Sequence, residues 1–166
     1  MFMDEAAFGR ISEPTRCWAP AGIRPVVLCQ MVREYTQVYG AVEPASGDDC
    51  FIIAPKCNTG WTNAFLSVLS EKFKRDYILL CADNAGWHKA KGLEIPENIR
   101  LFYLPPRTPE MNPIEQLWPE IRKRGFKNKL HKTIGCVIDQ LCDTLNSLTP
   151  STISSITARN WIVEMS

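Results

Sequence analysis

An unbroken apolar run near the middle of the chain limits the fold more than any other feature. The run is Tyr77-Ile78-Leu79-Leu80-Cys81-Ala82, whose six residues have the length of a strand. A strand without polar positions is typical of one that is covered on both faces, as at the centre of an α/β sheet. Apolar residues at helical spacing precede it, namely Trp61, Phe65, Leu66, Leu69 and Phe73. We therefore predict an α/β domain built around this strand.

Shorter segments predict further strands on both sides of the run. Apolar or β-branched residues predict strands at residues 1–4, 24–32, 35–42, 51–53 and 99–104. The stretch between Glu5 and Ile23 contains Pro14, Pro20 and Gly22, and we predict a loop there. The pattern indicates a mixed sheet in which the first three strands are antiparallel and the later strands are parallel.

Helices are predicted mainly in the second half of the chain. Helical periodicity and capping signals predict helices at residues 61–73, about 86–93, from 112 onwards, 134–145 and 149–156. Asn58 or Thr59 is the expected N-cap of the first. Strands first, then β-α-β alternation, then helices, describe a sheet flanked by helices.

Length and composition favour a single globular domain. The chain has 166 residues, 45% of them hydrophobic and 22% charged, which is typical of a folded domain. No apolar run approaches the roughly 18 residues of a membrane helix, and the N-terminus lacks the pattern of a secretory signal. The seven cysteines include no C-x-x-C pair, which favours free thiols in a reducing cytoplasm. A zinc site from Cys50, Cys57 and the two histidines has poor spacing and is the weaker alternative.

Basic residues are concentrated in one short segment, although the net charge is only +1. Residues 122–132 contain no Asp or Glu and carry Arg122, Lys123, Arg124, Lys127, Lys129 and Lys132. Such a strip on an otherwise acidic chain indicates an anionic partner that is met on one face. A solvated helix end explains the same pattern equally well.

Two acidic residues follow predicted strands. Asp83 stands directly after the central apolar run, and Asp4 ends the first predicted strand. Ligand sites in α/β sheets form beyond the carboxyl ends of the central strands, so both carboxylates are expected at the same edge. The alternatives are an Asp83 that caps the following helix and an Asp4 that lies in a frayed terminus.

Glu115 is the third candidate. It lies in Asn112-Pro113-Ile114-Glu115, a helix start with Asn as N-cap and Glu at the third position. At about 100° per residue, Glu115 lies about 60° from Trp118, at the edge of the buried face. Its alternative role is a capping box with Asn112. Three converging carboxylates would favour Mg²⁺ or Mn²⁺ and phosphoryl-transfer chemistry, and without metal at least one pKa should rise.

The blocks that carry these residues resemble a known family. Asp83-Asn84-Ala85-x-x-His88, followed by Leu104-Pro105-Pro106-x-Thr108-Pro109-Glu110-Met111-Asn112-Pro113-Ile114-Glu115-x-x-Trp118, resembles the catalytic half of DDE transposases. The similarity is greatest to bacterial insertion-sequence transposases related to the mariner superfamily. Phe2-Met3-Asp4-Glu5 and Trp18-Ala19-Pro20-x-Gly22-x-Arg24-Pro25 resemble that family's first block, so the resemblance extends from residue 1 to about residue 130.

The resemblance implies a ribonuclease-H-like fold and catalysis with two Mg²⁺ or Mn²⁺ ions. Asp4, Asp83 and Glu115 would take the three catalytic, metal-binding positions, with Asn84, His88 and Asn112 as further site candidates. Arg107 and the basic residues of 122–132 would contact DNA. The implied reaction cleaves DNA at the ends of the element and joins the freed 3′-hydroxyl to target DNA, often at TA. The implied setting is a homodimer on paired ends in the bacterial cytoplasm, nucleoid-associated when bound to DNA.

The chain also departs from the family pattern. Arg107 replaces an aromatic residue, only 31 residues separate Asp83 from Glu115, and Pro119 predicts a kink or restart of the helix. The family's N-terminal helix-turn-helix region is not in this sequence. We therefore expect residues 1–166 to form one catalytic domain with a clipped first strand, as a fragment, a split reading frame or a decayed copy. The alternative function is a non-catalytic remnant that interacts with a separately encoded helix-turn-helix protein.

Overall fold

The computed structural model describes residues 1–12 and 14–158. Its five strands are β1 (Phe2–Ile11), β2 (Met31–Val42), β3 (Asp49–Ala54), β4 (Ile78–Ala82) and β5 (Ile99–Tyr103). Its α-helices are α1 (Thr59–Lys72), α2 (Leu117–Ile121), α3 (Ile134–Asn146) and α4 (Pro150–Thr157). Short 3₁₀ turns occupy Gly86–Lys89, Pro109–Met111 and Pro113–Gln116, and a π turn occupies Arg122–Phe126.

The strands form one mixed sheet in the order β3-β2-β1-β4-β5. β1 pairs with β2, and β2 with β3, in antiparallel fashion. β4 is parallel to β1 on one side and to β5 on the other. The predicted fold class is confirmed: the first three strands are antiparallel and the later strands are parallel.

Two predictions about the first half of the chain are wrong. β1 does not stop at Asp4 but continues to Ile11, because its residues pair with β2 in a long antiparallel ladder. The strand predicted at 24–32 is absent from the described residues up to Gln30, where Val26 and Leu28 are exposed. β-branched residues favour a strand only where a partner strand is within reach. The third antiparallel strand is therefore β3, and β2 begins at Met31.

Among the described residues, the central apolar run is buried on only one face of the sheet. Ile78, Leu80 and Ala82 point into the core against α1, whereas Leu79 is 51% exposed. The prediction that both faces are covered is therefore wrong. A continuous apolar run predicts a strand, but it does not show whether other elements of the fold cover one face of that strand or both. The helix predicted near 86–93 is also shorter than expected, since only Gly86–Lys89 forms a 3₁₀ turn.

Helices cover the two faces of the sheet separately. α1 packs on one face with Phe65, Leu66 and Leu69, and α2, α3 and α4 pack on the other. The predicted Asn58 cap of α1 is confirmed, because its side-chain oxygen accepts from the Trp61 N–H at 2.9 Å. Among residues 1–12 and 14–158, every helix is too short or too polar to cross a membrane.

The segment that carries Glu115 is an irregular helix. A 3₁₀ turn at Pro113–Gln116 passes into α2 and then into the π turn at Arg122–Phe126. Pro119 has no N–H to donate to the Glu115 carbonyl, and the α-helix starts anew at Leu117, so that Pro119 lies in its first turn. The expected kink or restart is therefore present. The expected capping by Asn112 is absent: its side-chain oxygen accepts no cap hydrogen bond, while its amide nitrogen donates to the Met3 carbonyl at 2.9 Å.

Gly40 allows this irregular helix to approach the sheet closely. It lies opposite Asp4 in the β1–β2 ladder. A Cβ atom at Gly40 would lie 2.7 Å from the Phe51 ring and 2.8 Å from the Trp118 indole. Trp118 therefore occupies the space that a side chain at position 40 would fill.

We predict that Gly40→Ala lowers the free energy of unfolding by roughly 1–3 kcal/mol, because overpacking forces Trp118 or Phe51 to move. Urea denaturation measures the change. Gly60→Ala is the control, since a Cβ there meets nothing closer than 3.4 Å and alanine favours a helix. Equal stability of the Gly40→Ala protein and the wild type would contradict the close approach.

Candidate metal-binding and catalytic site

A cavity of about 330 Å³ opens at the edge of the sheet where β1 and β4 lie side by side. Its walls contain all three predicted carboxylates, from Asp4, Asp83 and Glu115. Asn84, Asn112 and Arg107 line the same cavity, together with the loop from Leu104 to Pro109. The structure thus brings together acidic residues that are far apart in the sequence.

Strand register accounts for the positions of the two aspartates. Phe2 on β1 pairs with Cys81 on the parallel strand β4. Two residues further along each chain lie Asp4 and Asp83, on the same side of the sheet as this pair. Glu115 enters the cavity from the 3₁₀ turn at Pro113–Gln116, whose Ile114 is buried against the sheet.

Asp4 is the most deeply buried of the three carboxylates. It is 9% exposed, and its Oδ2 accepts a hydrogen bond from the Trp118 indole N–H at 2.8 Å. Burial raises the pKa of Asp4 to about 7, the Trp118 hydrogen bond opposes this rise, and the nearby charge of Glu115 adds to it. Asp4 is therefore a carboxyl group that takes up a proton near neutral pH when no cation is present.

Glu115 and Asp83 are more open to solvent. Burial and the charge of Asp83 raise the pKa of Glu115, while Arg122 opposes that rise. The Asp83 side chain is 54% exposed, and its Oδ1 accepts the Ala85 backbone N–H at 2.9 Å. Charge repulsion between carboxylates contributes to the raised pKa values of Asp4 and Glu115, which is expected of acidic groups that share a cavity.

A buried histidine lies between two acidic residues at the rear of the site. His88 is 1% exposed, with Nε2 2.8 Å from Oε1 of Glu5 and Nδ1 2.9 Å from Oδ1 of Asp83. Burial alone would lower the pKa of His88, but the hydrogen bond and charge of Glu5, followed by Asp83, raise it above its ordinary value. Both ring nitrogens therefore face oxygen atoms, and the hydrogen-bond partner of Nδ1 is the Asp83 backbone carbonyl at 3.3 Å, beside the Oδ1 contact.

Glu5 is a site residue that sequence reasoning missed. Its carboxylate lies on the opposite face of β1 from Asp4, as strand alternation requires. There Oε1 accepts from the Trp87 indole N–H at 3.2 Å as well as contacting His88. The available signal was an acidic residue directly beside a predicted ligand; its burial became apparent only because β1 continues past Asp4, and a buried carboxylate is expected to be paired.

The remaining predicted site residues occupy distinct positions. Asn84 donates to the Leu104 carbonyl at 2.5 Å and accepts from Lys89. Asn112 is buried, and among the described residues its Oδ1 has no hydrogen-bond partner. Arg107 is exposed at the mouth of the cavity, with a left-handed φ of 63°.

The basic strip divides between a second cavity and the open surface. Arg122, Lys123, Lys127 and Lys129 line a neighbouring cavity of about 550 Å³. Arg122 donates to the Ala7 carbonyl at 3.0 Å and lies over the Phe8 ring. Arg124 instead pairs with Glu120 at 2.9 Å, and Lys132 is exposed outside the cavity lining. Arg122 is also near enough to Glu115 for its charge to oppose the rise in the pKa of that carboxyl group.

The donor atoms of the carboxylate cavity suit a hard divalent cation. They are carboxylate and amide oxygens, the ligands that Mg²⁺ and Mn²⁺ prefer, and the buried Asn112 Oδ1 lacks a donor among the described residues. Within residues 1–12 and 14–158, no three His, Cys, Asp or Glu side chains are grouped closely enough to form a ready ligand set. The residue types fit such an ion, and the carboxylates would have to move together to hold it.

The fold and the family of the chain can now be stated. The five-stranded mixed sheet with flanking helices is the ribonuclease-H-like fold of transposases. The sequence profile of the DDE superfamily endonucleases matches residues 1–138, so the chain belongs to this family. A relative from Sinorhizobium fredii, the uncharacterized protein y4pE/y4sA, is 32% identical over 130 residues, which cover 76% of this chain and 96% of the relative.

Solved structures of the Mos1 transposase have a similar fold. A Mos1 strand transfer complex matches with a TM-score of 0.70 and 14% identity, over 93% of this chain and 49% of that chain. A Mos1 paired-end complex with the left transposon end matches with a TM-score of 0.67 and 10% identity, over 94% of this chain and 50% of that chain. A Mos1 mariner paired-end complex with Mn has a TM-score of 0.64 and 11% identity, over 93% and 50%. The chain spans about half the length of these proteins.

We predict that Asp4→Asn stabilises the metal-free protein increasingly as pH rises. The pKa of Asp4 is about 7 in the folded protein against an ordinary value of 3.8, so the folded wild type binds the extra proton between these values. The wild type therefore loses stability from about pH 4 to pH 7, whereas an amide does not titrate. Three pKa units correspond to about 4 kcal/mol, and we expect an advantage of roughly 2–4 kcal/mol at pH 8.

Urea denaturation of both proteins in EDTA, at pH 5 and pH 8, measures this difference. Asp139→Asn is the control, because Asp139 lies on α3 away from the cavity. An advantage of Asp4→Asn that is the same at both pH values would contradict the raised pKa of Asp4.

Proposed function

We propose that this chain is the catalytic domain of a transposase, which cuts DNA at the ends of a mobile element and joins them to target DNA. The observation that carries the proposal is the single cavity that contains Asp4, Asp83 and Glu115. Membership of the DDE endonuclease family supports the reaction type. Similarity in fold to Mos1 complexes with transposon ends, including one with Mn and one with Mg, supports the substrate and the cofactor.

Asp4, Asp83 and Glu115 are proposed to hold two Mg²⁺ or Mn²⁺ ions, with Asn112 Oδ1 as an additional oxygen donor. Such ions, when bound, activate an attacking water or hydroxyl and stabilise the leaving oxygen of a phosphodiester. Trp118 fixes one oxygen of Asp4 by its hydrogen bond, and the Ala85 N–H fixes one oxygen of Asp83. Asp4 and Glu115, whose pKa values are raised, would release protons as they become ligands, so metal affinity should increase with pH.

The basic cavity is proposed to hold the DNA backbone beside the carboxylates. Four cationic side chains of the basic strip, from Arg122, Lys123, Lys127 and Lys129, line this one concave surface together with Arg10. Arg122 links the two cavities, since its charge reaches Glu115. A DNA strand with one phosphodiester at the three carboxylates would therefore place its neighbouring phosphates next to these cations. Arg107 is proposed to contact DNA at the opposite rim.

The assembly of the active protein is also a proposal. Three of the Mos1 structures of similar fold are paired-end complexes, and their chains are about twice as long as this one. We propose that residues 1–166 form one catalytic domain, that two copies act on paired ends, and that a helix-turn-helix region in another part of the protein or in a separate protein recognises those ends. We also propose that the protein is bacterial and that it associates with the nucleoid when it is bound to DNA.

We predict that the purified wild-type chain nicks DNA in the presence of Mn²⁺ or Mg²⁺ and not in EDTA. Asp83→Asn and Glu115→Gln should each lower the nicking rate at least about a hundredfold, because each removes a charged ligand. Asp139→Asn removes an equal charge on α3 and should leave the rate unchanged. Conversion of supercoiled plasmid to the open circular form measures the rate.

Two outcomes would count against this proposal. Nicking that survives both Asp83→Asn and Glu115→Gln would contradict the assignment of the site. A folded wild type that never nicks DNA, with either metal, would instead favour a non-catalytic remnant that depends on another protein.

We predict a salt-dependent DNA affinity that relies on the basic cavity. Replacing Lys127 and Lys129 by alanine should weaken binding and reduce the slope of log affinity against log salt by about 0.9 for each phosphate that is no longer neutralised. Replacing Lys74 and Arg75, which follow α1 on the other face of the sheet, removes the same charge and is the control. Fluorescence anisotropy with a DNA duplex at several salt concentrations gives both slopes. Equal reductions in affinity in the two double variants would mean that the cavity is not the DNA-binding surface.

A further inference from the structure

Asp83 needs external support if it is to present a carboxylate in a fixed direction. It lies just beyond the end of β4, in the segment between that strand and the 3₁₀ turn at Gly86–Lys89, and its side chain is 54% exposed. Oδ1 nevertheless accepts the Ala85 N–H at 2.9 Å and lies 2.9 Å from His88 Nδ1, whose hydrogen-bond partner is the Asp83 backbone carbonyl at 3.3 Å. Among the described residues Oδ2 has no such contact. One oxygen is therefore held in place and the other is left for a ligand.

His88 is itself held from several sides. Its Nε2 lies 2.8 Å from Oε1 of Glu5, which also accepts from the Trp87 indole N–H at 3.2 Å. The Tyr103 hydroxyl on β5 donates to the His88 carbonyl at 2.5 Å. The His88 and Glu5 side chains are 1% and 6% exposed. A buried ring that is engaged at both nitrogens can rotate only by breaking these hydrogen bonds.

The contacts connect the two strands that supply the aspartates. Asp4 and Glu5 are consecutive on β1 and point to opposite faces of the sheet. Asp4 enters the cavity directly, whereas Glu5 reaches Asp83 through His88. β1 thus contributes one carboxylate itself and fixes the direction of the other.

We propose that Glu5 and His88 are positioning residues that orient the Asp83 carboxylate for metal binding. The proposal rests on the proposed function in that Asp83 is taken to be a metal ligand. Groups that orient a metal ligand typically change metal affinity about 10–100-fold when they are removed. If His88 only filled space, its substitution would change the stability of the protein and leave the Mn²⁺ affinity of the folded protein unaltered.

Two substitutions of His88 separate the contacts of its two ring nitrogens, Nδ1 with Asp83 and Nε2 with Glu5. The side-chain amide of His88→Asn can occupy the place of Nδ1 and keep the contact with Asp83, whereas that of His88→Gln can reach the place of Nε2 and Glu5. We expect the Mn²⁺ dissociation constant to rise at least about tenfold in His88→Gln and clearly less in His88→Asn. Thr62→Val, which removes a buried hydroxyl on α1, is the control and should lower stability without changing Mn²⁺ affinity.

The experiment measures Mn²⁺ binding to the full chain by electron paramagnetic resonance, with circular dichroism to establish that each variant is folded. If His88→Gln does not fold, Trp87→Phe is used, which removes the indole N–H that holds Glu5 but keeps an aromatic ring at position 87, and a smaller rise of about two- to fivefold is expected. Unchanged Mn²⁺ affinity in the folded variants would overturn the positioning role, as would equally weakened binding in His88→Asn and His88→Gln.

Nicking assays on the same proteins separate this inference from the proposed function. Wild-type nicking with unaltered Mn²⁺ affinity in the variants would reject the positioning role alone. If Mn²⁺ affinity falls in the expected order, from wild type through His88→Asn to His88→Gln, but the wild type does not nick DNA, the positioning role is supported and the catalytic function is rejected.

Discussion

The site depends on the parallel pairing of β1 with β4. That pairing rests on the register of Phe2 with Cys81 and places the following residues of both strands at one edge of the sheet. Asp4 and Asp83 meet there because each follows the pair by two positions. A shift of one residue in either strand would send one carboxylate to the opposite face. The core beneath, with Met3 and Leu80 packed against α1, is what holds this register.

The second requirement is a close approach of the irregular helix that carries Glu115. Gly40 leaves room for Trp118, and Trp118 donates to Asp4 across the β1–β2 ladder. The same contacts bury Asp4 and raise its pKa. Packing and electrostatics are therefore linked: the arrangement that gathers the carboxylates also makes them repel one another, and a divalent cation is the partner that would relieve the repulsion.

The sequence predicts those features that rest on local chemistry or on strand order. The run before Asp83 and the Asn58 cap are recognisable because periodicity and capping are local, and the division into antiparallel and parallel strands follows from the succession of predicted elements. Residues 24–30 misled because β-branched residues mark a strand only when a partner is present. The contact between Glu5 and His88 joins residues 83 apart in the sequence, and no local pattern reveals it. Likewise, Asn112 looks like a helix cap, but its amide nitrogen donates to the carbonyl of Met3, which lies 109 residues away in the sequence.

A crystal structure of the chain soaked in Mn²⁺, with data collected to reveal the anomalous scattering of the metal, tests the shared metal site most directly. We expect a peak in the cavity, at about 2.1–2.3 Å from oxygens of Asp4 and Asp83 and within reach of Glu115. Anomalous density only at other places on the protein, with these three carboxylates still apart, would contradict a metal site formed by the three acidic residues.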